Sequence, residues 1–80
     1  MEEEIKNFLL KLYFSRNNPK MFNKVIRDMK KAHSIDIRRT MAYEIHQRMD
    51  SEGLAFVAPA ADNENFKLQV KKALGVLEMG

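Results

Sequence analysis

Apolar residues fall into clusters separated by short polar breaks, and the spacing inside each cluster predicts the element it builds. Over about residues 2–14, Ile5, Phe8, Leu9 and Leu12 recur at the three- and four-residue offsets of one helical face. Glu2, Glu3 and Glu4 suit the N-terminal end of that helix's dipole. Leu10 and Phe14 lie about 140–180° away from Ile5 at ~100° per residue, so the helix is apolar nearly all round. It is either the central helix of the fold or part of a subunit contact, and Leu10 with Phe14 are the expected homodimer interface.

After the polar break that starts at Ser15, Asn18 and Pro19 form an N-cap and N1 pair, which predicts a helix over about 19–32. Its inner face is Phe22, Val25, Ile26, Met29 and Ala32. A third helix is expected over about 36–52, capped by Ser34 or Asp36 and ended by Gly53. Met41, Ala42, Ile45 and Met49 point inward there, while Arg39, Thr40, Tyr43, Gln47 and Asp50 project outward. Beyond Gly53, the apolar run Leu54-Ala55-Phe56-Val57 has strand length and stops at Pro59 and a polar turn. Phe66, Leu68 and Val70 alternate with Lys67 and Gln69, favouring a returning strand, although Phe66, Val70, Ala73, Leu74 and Leu77 also suit a helix. The strand is preferred. The expected fold class is mainly α with a small β-hairpin over about 54–70, an α+β domain.

Composition narrows the class of protein. Eighty residues allow one domain and one core, and 45% apolar residues with a net charge of +3 are enough to drive collapse in water. A chain this short buries only about 60% of its unfolded surface, and with no cysteine it has neither disulfide nor thiolate metal site to reinforce it. The absence of cysteine fits a reducing compartment. The acidic start, with apolar residues interrupted by Lys6, Asn7 and Lys11, does not read as an export signal. A cytoplasmic protein without a membrane span is expected.

Charge is polarised along the chain. Residues 15–39 hold eight Lys or Arg against Asp28 and Asp36, whereas residues 40–65 hold only Arg48 against five acids. Lys20, Lys24, Arg27 and Lys31 recur at steps of four, three and four, and therefore share one stripe on the outer side of the second helix. Like charges at this spacing repel by a few tenths of a kcal/mol per pair, a cost that a phosphate backbone would offset. A merely solvated helix face is the plain alternative. Catalysis is not expected: there is no glycine-rich phosphate loop, nucleophile elbow or suggestive pair of acids. His33 and His46 are read as helix-end and i, i+4 helix-pair residues rather than metal ligands, and no cofactor is expected.

The stretch Ile37-Arg38-Arg39-Thr40-Met41-Ala42-Tyr43-Glu44-Ile45 and the ending Met49-Asp50-Ser51-Glu52-Gly53-Leu54 resemble the winged helix-turn-helix superfamily across about Val25 to Val57. The resemblance implies a three-helix winged helix-turn-helix-like domain that binds double-stranded DNA as a small transcription-factor-like regulator. The second helix would meet phosphates. The third would enter the major groove, with Arg39 reading bases, Arg38 holding phosphate, and Tyr43 and Gln47 continuing the face. The hairpin tip Asp62-Asn63-Glu64 is acidic, so no wing contact is carried over. The alternative function is a small adaptor or inhibitor that docks on a larger protein through apolar and basic surfaces.

Overall fold

The computed structural model describes residues 1–80. Four helices run in the order α1 (Glu2–Phe14), α2 (Pro19–Ala32), α3 (Ile35–Glu52) and α4 (Glu64–Leu77), with a single 3-10 turn at Pro59–Ala61. Helix starts follow the capping chemistry in the sequence. Asn18 accepts from the Met21 N–H at 3.2 Å with Pro19 at the first helical position, and Ser34 caps α3 by accepting from the Ile37 N–H. α3 therefore opens at Ile35, one residue before the expected start. It ends at Gly53, whose φ of +72° is the only positive φ in the chain.

The expected β-hairpin is absent, and the fold is all-α. Leu54 to Val57 form a succession of turns closed by a Val57 N–H to Leu54 carbonyl hydrogen bond. The segment read as a returning strand is the first half of α4. Asn63 decides its start: its side chain accepts from the Phe66 N–H at 2.9 Å and donates to the Ala60 carbonyl at 2.8 Å. Once the helix begins there, Phe66, Val70, Ala73, Leu74 and Leu77 form one buried face. Leu68, which period-two alternation put beside Phe66 and Val70, is 56% exposed. The longer helical repeat buries five apolar side chains where the strand would bury three, and burial governs the outcome. Without a hairpin there is no wing, and the winged architecture does not hold.

The core comprises 17 buried apolar residues drawn from all four helices and the 54–61 connection, including Ile5, Phe8, Leu9, Leu12, Met41, Ile45, Leu54, Phe66 and Leu74. α4 packs against each of the other three helices, and α2 against α1 and α3. The Cα radius of gyration of 11.4 Å matches the value of about 12 Å expected for this length. α4 takes the place that a hairpin would have had, closing one end of the core and leaving the outer face of α2 in solvent.

Candidate nucleic-acid interface

α2 buries little of itself. Ile26 is its one fully buried residue, with Phe22, Val25 and Met29 half-buried against the core. Lys20, Lys24, Arg27 and Lys31 are all exposed and lie opposite that contact, within about 60° of one another around the helix axis. Over eleven residue steps they span about 16 Å. Asp28 is the acid among them. Its carboxylate lies 2.9 Å from the Lys24 ammonium, and that hydrogen bond, with smaller contributions from Lys31 and Arg27, holds the carboxyl below its ordinary range. Lys20, Arg27 and Lys31 have no acidic partner within ion-pair distance.

α3 treats its expected contacts unequally. Arg39, Tyr43 and Gln47 are exposed, and they share the outer face with Asp36 and Asp50. That face has no excess positive charge. Arg38 is buried at 7% exposure; its Nη1 donates to the Met79 carbonyl at 3.2 Å and its Nε has no hydrogen-bond partner. The side chain ties α3 to the end of α4 and is not presented to a phosphate. Its position one turn before Met41 and Ala42 on the inner face explains the burial.

Leu10 and Phe14 are exposed to different degrees. Leu10 is half-buried against the core, whereas Phe14 is 78% exposed. Phe14 lines an open cleft between the end of α1 and the start of α2 with Lys11, Asn18, Met21, Lys24 and Asp28. A second recess, sharing Lys11, Val25 and Asp28, continues along the α1–α2 junction towards Glu4 and His33. Lys11 and Met21 join the site through the packing of α1 against α2. The signal for them is weak but present: Lys11 is three residues before Phe14 on α1, and Met21 sits at the margin of the apolar face of α2.

The remaining polar chemistry is structural. His33 Nε2 lies 3.0 Å from Glu4 Oε2, linking α2 to α1 rather than acting within its own helix. Arg48 bridges Glu2 and Glu52 and stacks 3.7 Å above the Phe56 ring. Arg16 covers the Tyr13 ring at 4.1 Å, and Gln69 of α4 donates to the Arg16 carbonyl at 2.9 Å. No three His, Asp or Glu side chains gather as a set able to hold a metal ion. No helix is long and apolar enough to cross a membrane. No protein-family model, curated protein or solved structure matches the chain.

Proposed function

We propose that this chain is a small nucleic-acid-binding protein that lays α2 along a phosphate backbone. The observation that carries the reading is the exposed stripe Lys20, Lys24, Arg27 and Lys31, four cations on one helix face with a single acid among them. Their mutual repulsion is relieved when they neutralise phosphates and release the counterions condensed on the nucleic acid, so affinity is salt-dependent and carries little sequence preference. The mixed charge of the outer face of α3 and the burial of Arg38 do not favour base reading by that helix, so the proposal is confined to phosphate contact.

The test is binding of labelled DNA at about 50–200 mM salt. Arg27→Ala with Lys31→Ala removes two cations free of intramolecular partners and should flatten the slope of log affinity against log salt by roughly two. An unchanged slope means that α2 does not contact phosphate.

A further inference from the structure

The cleft beside Phe14 deepens that reading. Phe14 is the most exposed of the large apolar side chains, and Met21, at 48% exposure, is on the opposite wall of the same opening. The cleft measures about 410 Å³, within the range of small-ligand sites. Asn18 on its rim uses Oδ1 to cap α2, and its Nδ2 hydrogens have no acceptor within the chain. Lys24 belongs both to this cleft and to the basic stripe, so the two features are contiguous.

We propose that the Phe14 cleft is a base-stacking site and that the nucleic acid lying on α2 is single-stranded, with one base on the Phe14 ring and its flanking phosphates against Lys11 and Lys24. The proposal rests on the phosphate-binding reading above and specifies its substrate class. Three observations converge on it. First, the exposed apolar area of Phe14 and Met21 is on the order of 250 Å². That is well short of the ~800 Å² per partner of a stable protein interface, but suited to a single base. Second, the lining carries Lys11 and Lys24 against Asp28 alone, a net positive charge with Asp28 already engaged by Lys24. An anionic ligand with an aromatic face complements such a site. Third, a duplex keeps its base faces stacked inside, so an exposed ring beside a phosphate track engages a base only when the strand is single. Tyr43, the other strongly exposed aromatic at 63%, shares its helix face with Asp36 and Asp50 and lacks this setting.

The experiment compares fluorescence anisotropy of an oligo-dT of about 12 nucleotides, its duplex counterpart and a polyglutamate of matched charge. Wild type should prefer oligo-dT to both. Phe14→Ala should lower oligo-dT affinity about tenfold or more with the salt slope intact and duplex affinity unchanged. The chain has no tryptophan, so the indole introduced by Phe14→Trp reports locally: it should retain binding and be quenched by oligo-dT. Phe14 is exposed, so neither substitution endangers the fold. Equal oligo-dT affinity for wild type and Phe14→Ala, or an unquenched indole, overturns base stacking. The phosphate reading survives that result if Arg27→Ala with Lys31→Ala still flattens the slope. Polyglutamate bound as tightly as oligo-dT points to an acidic protein and overturns the proposal, and absence of salt-dependent binding to either nucleic acid overturns both readings.

Discussion

At single residues, two side-chain environments run against what composition suggests. Gly53 combines φ +72° with ψ −153°, a region that only glycine enters freely, and a Cβ there would run into the Asp62 carboxylate. Gly53→Ala should destabilise the protein by ~1–3 kcal/mol, read as a lowered midpoint in thermal or urea unfolding. Arg38 is the converse, a cation inside the fold with one guanidinium nitrogen unpaired. A buried charge with incomplete partners adds little to stability compared with an apolar side chain of similar length. Arg38→Met should leave the unfolding free energy within about 1 kcal/mol of wild type and DNA affinity unchanged. Loss of affinity without loss of fold would show that Arg38 reaches a ligand after all.

The least regular element, the connection from Gly53 to Asn63, depends on one carboxylate. Asp62 accepts from the Leu54 N–H at 3.1 Å and lies 3.2 Å from the Lys67 ammonium, anchoring the connection to both its own start and α4. The backbone hydrogen bond, then Lys67, hold the Asp62 carboxyl below the ordinary value of 3.8. A carboxylate whose folded pKa is lowered adds stability that is fully present above the unfolded value and is lost as pH falls through the lower folded one. Asp62→Asn should therefore be less stable than wild type at about pH 6, and the gap should narrow as pH falls below the ordinary carboxylate value of 3.8. Asp28 titrates with the same sign, but it is present in both proteins and leaves the difference intact. A gap independent of pH would mean that the charge of Asp62 is irrelevant and that only its shape is used.

For the whole molecule, the decisive feature is where the exposed apolar side chains fall. Leu10 packs partly on its own chain, the eight exposed large apolar side chains are spread over all four helices and both chain ends, and among them only Phe14 and Met21 line the α1–α2 cleft. Obligate dimers bury far larger and more continuous apolar areas. The free protein should sediment as a monomer at about 100 μM, and Phe14→Glu should stay folded by circular dichroism. Leu10→Glu should instead lower stability, because it places a charge against the core. A wild-type dimer dissociated by Phe14→Glu would restore the subunit-contact role anticipated for that side chain.

Much of this architecture is written locally. The first three helices, the cap at Asn18, the stop at Gly53 and the basic stripe on α2 follow from spacing and capping alone, because each depends on residues within a few turns of one another, whereas spacing does not by itself choose Ser34 over Asp36 as the α3 cap. The last third does not. Phe66 to Leu77 satisfies both a period of two and a period of 3.6 over its first five residues, so local pattern leaves strand and helix in competition. Contact with α1, α2 and α3 resolves the competition, since only the helix delivers Ala73, Leu74 and Leu77 to the core along with Phe66 and Val70. The same long-range packing takes Arg38 out of solvent and half-buries Leu10. A side chain's exposure depends on which elements arrive beside it, and local sequence periodicity carries no record of that arrival.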